Sequence, residues 1–81
     1  MNRLHLIILL SLQKTKATSA PSAITLSEIK NTCGITQSIT TLSRAMKYLY
    51  ENGYVSKGLK TINSHTFYLN ENGTKLLLEV M

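Results

Sequence analysis

The sequence has one cysteine, Cys33, and no aspartate. A lone cysteine excludes an internal disulfide framework. The two histidines, His5 and His65, lie near opposite ends, so no metal-ligand cluster can be read from spacing. Only four Glu oppose nine Lys or Arg, and a helix terminus or face accounts for each of them. There is no paired acid and base, no Gly-rich phosphate loop and no nucleophile placed beside a histidine, so neither enzymatic chemistry nor a cofactor is expected. Long apolar runs are also missing. The best, in MNRLHLIILLSL, is far short of the roughly 20 residues of a membrane span. It makes a poor signal peptide too, because His5 and Ser11 interrupt it and Lys14 and Lys16 follow. A cytoplasmic protein with no membrane partner is the expectation.

What is present fits one domain over residues 1–81. A core this small rarely supplies more than roughly 3–5 kcal/mol of net stability without a staple. With disulfide and metal excluded, oligomerisation is the expected staple. The net charge of +5 favours a polyanionic partner, nucleic acid before membrane.

Residues 2–13 read as a helix whose leucines and isoleucines point in nearly every direction, a pattern that predicts burial all round. The run KTKATSAPSA, 14–23, reads as a flexible loop. A second helix follows, opened by Thr25 and Glu28 as a capping box and closed by Gly34, with Leu26, Ile29 and Cys33 on one face. Only one or two residues are expected before the next helix. That helix spans 35–53, ITQSITTLSRAMKYLYENG, where Ile35, Ile39, Leu42, Met46 and Leu49 recur at steps of four and three. At about 100° per residue, Arg44 falls nearly opposite the middle of this stripe. Two short helices joined by a tight turn containing Gly, the second amphipathic, predict a helix-turn-helix.

After Gly53 the period changes. YVSKGLKT and HTFYL read as a β-hairpin, with Gly58 marking a bulge or a close backbone approach. A last helix opens at Asn70, its apolar arc being Leu76, Leu77, Leu78, Val80 and Met81.

Two strings in this order resemble known regulators. MKYLYENGYV, 46–55, resembles the end of the recognition helix and the start of the wing in MarR-like and PadR-like proteins. FYLNENGTKLL, 67–77, resembles the strand-to-helix step that closes their wing, usually Leu-Thr-x-x-Gly; Asn70 stands here for the Thr, and both residues cap helices. The resemblance covers about 26–78 and implies a winged helix-turn-helix: mainly α with a small β-hairpin, three helices, a two-stranded wing and a short C-terminal helix. Two departures are plain. The chain lacks the length for the long dimerising helices of MarR-type proteins, and 61–64 at the wing tip hold no arginine.

Gln, Thr and Arg are the side chains that hydrogen-bond base edges and phosphates. Arg44 with Gln37, Thr40 and Thr41 is the candidate major-groove surface. Thr36 and Ser38 can offer hydroxyls or amides to phosphate at the helix start. Lys47 is a candidate phosphate contact, and so is Lys60 on the wing. Lys57 fits edge-strand protection better. Cys33 and Tyr50 are read as packing residues, Tyr48 and Tyr54 as either packing or phosphate contacts, and His65 as no switch. The expected function is sequence-specific binding of double-stranded DNA by a homodimeric transcription regulator, paired through its N- and C-terminal helices. The alternative is a winged-helix protein-interaction module in a plasmid or viral replication or partition complex.

Overall fold

The computed structural model describes residues 1–59 and 64–80. Along them the elements run α1 (Arg3–Lys14), a 3₁₀ turn (Ala20–Ser22), α2 (Leu26–Cys33), α3 (Ile39–Glu51), β1 (Val55–Lys57), β2 (Phe67–Leu69) and α4 (Glu71–Val80). Four helices and an antiparallel hairpin thus make up the mainly α architecture that the sequence predicts.

Short polar side chains open each α-helix. Asn2 accepts from the His5 amide at 3.0 Å, Thr25 from Glu28 at 3.2 Å, Ser38 from Thr41 at 3.2 Å and Asn70 from Gly73 at 3.0 Å. Each bond satisfies an amide that has no partner inside the helix. The first three helices close alike. A residue with positive φ follows the helix, Lys16 (φ 60), Gly34 (φ 64) or Gly53 (φ 80). The next amide then reaches back to the last turn: Ala17 to the Leu12 carbonyl at 2.9 Å, Ile35 to Lys30 at 3.1 Å and Tyr54 to Leu49 at 2.9 Å. These are the left-handed caps that stop a helix and turn the chain back onto its core.

That cap gives residues 14–23 more structure than their composition suggests. Ala17 is fully buried, and its carbonyl accepts from the Leu69 amide at 2.7 Å. Lys14 belongs to α1, and Ala20–Ser22 wind into the 3₁₀ turn.

β1 and β2 pair in the register Val55↔Leu69, Ser56↔Tyr68 and Lys57↔Phe67. Ile24, just before α2, adds one more rung against Phe67, with amide-to-carbonyl bonds of 3.0 and 2.8 Å. This ties the helix-turn-helix to the hairpin and has no counterpart in the sequence reading. Gly58 marks a close approach: a Cβ there would run into Ala23 and the Thr66 hydroxyl.

Every α-helix and both strands contribute to one core. Ile8, Leu9 and Leu12 of α1 meet Ile29, Leu42, Met46, Leu49, Val55, Leu69 and Leu77, all essentially inaccessible to water. Truncating a leucine in such a setting costs about 2–5 kcal/mol. Three apolar expectations need correction. α1 is not buried all round: it packs against α2, α3, α4 and β2, but Leu10 lies on the side none of them covers and is 41% exposed. Ile39 is 42% exposed, because it begins α3 and extends past the core edge that Leu42 marks. Tyr50 is 44% exposed rather than core, since Leu49 and Met46 already fill the inward side of that turn. On α4, Leu77 is buried while Leu78 and Val80 face outward; Met81 lies outside the described residues.

Candidate nucleic-acid interface

The inward side of α3 is Leu42, Ala45, Met46 and Leu49, all buried. Helical geometry therefore turns Thr40, Arg44 and Lys47 away from the protein, and all three are exposed. Thr41 is exposed as well, on the flank nearer α1, with its hydroxyl 3.0 Å from that of Ser38. Arg44 lies away from the buried stripe, as the sequence pattern predicts.

The helix begins later than its pattern predicts. Residues 34–38 form the connection, longer than expected, so Thr36 and Gln37 lie in the turn and Ser38 is the N-cap. Two causes hold the turn open. Ile35 is buried there, 8% exposed, as an anchor rather than a helical residue. The Lys30 ammonium then donates to the Ile35 carbonyl at 3.1 Å and the Gln37 carbonyl at 2.6 Å, giving both a partner outside any helix. Thr36, Gln37 and Ser38 are all exposed and stand beside the first turn of α3. Thr36, Gln37, Ser38, Thr40, Thr41, Arg44 and Lys47 are thus all exposed along the turn and α3. Lys60 lies outside the described residues.

Hollows flank α3 on both sides. On the wing side a groove of about 340 Å³ is lined by residues that include Leu26, Ser43, Lys47, Tyr50, Lys57 and Phe67. The Lys57 ammonium sits 4.8 Å from the centre of the Tyr50 ring, an attraction that holds the cation over the aromatic face. On the other side, a hollow of about 220 Å³ is lined by Asn2, Leu4, His5, Thr41, Arg44 and Ala45.

His5 and Asn2, which line this hollow, had no place among the sequence-predicted site residues. His5 is 8% exposed and its ring stacks on Tyr48, with centroids 4.2 Å apart and planes 8° from parallel. Its Nδ1 accepts from the Asn2 amide at 3.1 Å, completing a capping box in which His stands where Glu or Gln is usual. Burial first, and the nearby positive amino terminus second, lower its pKa below the ordinary 6.5. The readable signal was Asn-x-x-His just ahead of an apolar run. Tyr48 is therefore a packing partner of α1.

A helix-turn-helix whose second helix turns an exposed basic and polar face outward, followed by an antiparallel hairpin, defines a winged helix-turn-helix domain. Solved structures agree. TubR from Bacillus megaterium pBM400 matches with a TM-score of 0.86 at 19% identity, over 99% of this chain and 86% of that one. A candidate DNA-binding protein from Ralstonia eutropha JMP134 matches at 0.78 with 15% identity, over 100% and 98%. At those identities the likeness speaks for the fold alone. The solution structure of the DNA-binding TubR fragment from Clostridium botulinum matches at 0.77 with 30% identity, over 100% of this chain and 98% of that one. At that identity over the whole length, the chain belongs to the TubR family. No protein-family profile and no curated protein sequence matches it.

Proposed function

We propose that this domain binds double-stranded DNA through the outward face of α3, as a homodimeric, cytoplasmic transcription regulator and not an enzyme. The observation that carries this is the exposure of Thr40, Arg44 and Lys47 directly behind the buried stripe of Leu42, Met46 and Leu49. An α-helix fits the major groove, where Arg pairs bidentately with guanine and Thr with base edges or phosphate. Support also comes from the relative in Clostridium botulinum, described as DNA-binding, and from the net charge of +5. The regulatory role itself rests on the MarR-like and PadR-like strings.

The dimer is proposed from the apolar residues left uncovered on the terminal helices, Leu10 on α1 and Leu78 and Val80 on α4. A two-fold pairing through them would set the two recognition helices about one DNA turn apart over a pseudo-palindrome.

The test is selection of bound sequences from a random duplex pool, then titration of the winner against random duplex at two salt concentrations. If Arg44, Lys47, Lys60 and one further cation per chain touch phosphate, about eight contacts form per dimer. The slope of log affinity against log salt is then near −7. Equal, salt-insensitive affinity for every duplex would favour the second reading, a protein-interaction module. Its supporting observation is the groove between α3 and the wing, bordered by the exposed Ile39 and Tyr50.

A further inference from the structure

We propose that the hollow between the start of α1 and α3 is a phosphate seat, in which the His5 Nε2–H and the Arg44 guanidinium hold one backbone phosphate of the bound duplex. This rests on the DNA-binding reading above and names a contact on a second element, outside the helix-turn-helix.

The chemistry follows from the hydrogen bond at the other ring nitrogen. The Asn2 amide donates to His5 Nδ1, so Nδ1 carries a lone pair and the proton of the neutral ring is on Nε2. Among the described residues this is the hydrogen bond that the imidazole makes, and no buried side-chain nitrogen or oxygen lacks a partner. Nε2 is therefore not sealed in the core, and His5 is one of the residues that line the hollow. The ring is 8% exposed and fixed between its capping bond and the Tyr48 stack, so this donor is preorganised.

The surroundings select an anion. Arg44 and Thr41 line the opposite wall from α3, Asn2 lies beside His5, and among the described residues no carboxylate lines the hollow. Position selects the phosphate of a duplex in particular. The hollow opens on the flank of α3 whose outward face carries Thr40 and Arg44, and a helix lying in the major groove is bordered by sugar-phosphate backbone on each side. With α3 in the groove, the wing-side groove, lined by Lys47, Lys57 and Glu51 among others, would face one strand and the His5 hollow the other.

Two variants separate this role from the cap. His5→Glu keeps an acceptor for the Asn2 amide, as in an ordinary capping box, but puts a carboxylate where the donor was. It should stay folded by circular dichroism, weaken duplex binding by on the order of tenfold or more, and reduce the salt slope by about 0.9 per protomer. His5→Gln supplies both an acceptor and an N–H donor, and should bind within about threefold of wild type. Gln13→Glu, exposed at the far end of α1, controls for net charge and should change affinity by no more than about twofold. In the unmutated protein, the His5 Nε2 resonance should shift on titration with the selected duplex while Nδ1 keeps its lone-pair signature. If His5→Glu does not fold, Thr41→Glu puts the same charge in the hollow from the other wall and should show the same loss. Wild-type affinity and slope in the folded charged variant, or an unmoved Nε2 resonance at saturation, would overturn the phosphate seat alone. Failure of the wild-type chain to bind any duplex would overturn the DNA reading and this inference with it.

Discussion

The Asn70 side-chain amide donates to the Gly53 carbonyl at 2.9 Å, joining the start of α4 to the turn that ends α3. The same nitrogen donates to the Ser56 hydroxyl at 3.0 Å, while Oδ1 accepts from the Gly73 amide at 3.0 Å. One side chain thus caps a helix and fixes the base of the wing. Asn70→Ala should cost about 2 kcal/mol in denaturant unfolding, the upper end for a lost cap, because two further groups lose their donor. Asn70→Asp keeps the cap and loses only the donor, so about half of that is expected. An Asn70→Asp variant as stable as wild type would mean that the ties to Gly53 and Ser56 contribute nothing.

Lys16 occupies the left-handed position that Gly34 and Gly53 occupy after α2 and α3. A β-carbon in that conformation costs roughly 1 kcal/mol. Lys16→Gly should therefore stabilise the fold by about 0.5–1 kcal/mol, in spite of the entropy glycine adds to the unfolded chain. Gly34→Ala is the reciprocal experiment. Its added Cβ meets nothing within 4 Å, so a loss of about 1 kcal/mol in thermal unfolding would report backbone strain alone.

This pair also shows how far the sequence was legible. The ends of α2 and α3 were readable because glycine stands where only glycine is comfortable. The end of α1 uses the same geometry with a lysine, so the burial of Ala17 and its tie to Leu69 were not readable. The capping box at Thr25 and Glu28, the cap at Asn70 and the two short runs of the hairpin are local signals, and each matches the structure. What was misplaced depends on tertiary partners. The start of α3 moved because Lys30 reaches across to two carbonyls, the Ile24 bridge joins residues far apart in sequence, and Tyr50 lost its place to better-placed neighbours. His5 was passed over at the candidate site because its partner Tyr48 is on another helix, more than forty residues away.

Leu78 is 70% exposed and Val80 52%, on the helix that ends the described chain. If these residues form the proposed two-fold contact, Leu78→Lys should turn a sedimenting dimer into a monomer at micromolar concentration. Little change is expected in the monomer's own secondary structure, because Leu77, not Leu78, reaches the core. A wild-type chain that already sediments as a monomer would remove the dimer and halve the expected number of phosphate contacts.

His5 also gives stability a pH dependence of definite sign. Its pKa is lowered in the folded chain, by burial first and by the positive amino terminus second, so the unfolded chain binds its proton more readily. Above the ordinary value of 6.5 both states are neutral and there is no penalty. As pH falls below 6.5 the unfolded state takes up the proton first and stability declines, until the folded ring is also protonated. Protonation of Nδ1 would additionally remove the acceptor for the Asn2 amide. Unfolding midpoints measured from pH 7.5 to pH 5 should therefore fall for the wild type and fall less for His5→Gln; parallel curves would show that the ring titrates alike in both states.

Arg44→Ala is the sharpest trial of the recognition face. The side chain is exposed, and the neighbours that carry the fold, Leu42, Ala45 and Met46, lie on the other side of the helix. Removing it should leave the unfolding midpoint within about 0.5 kcal/mol of wild type, as for other surface positions. Its effect on DNA should depend on what it touches. A bidentate contact with guanine predicts a loss of about 1–3 kcal/mol confined to the cognate duplex, with relaxed choice at one base pair. A phosphate contact predicts a uniform loss across sequences and a salt slope smaller by about 0.9 per protomer. The His5 hollow favours the second pattern, because Arg44 lines it together with a second donor. Titrations of the variant against cognate and random duplex at two salt concentrations separate the two, and unchanged binding to both would place the interface elsewhere on the domain.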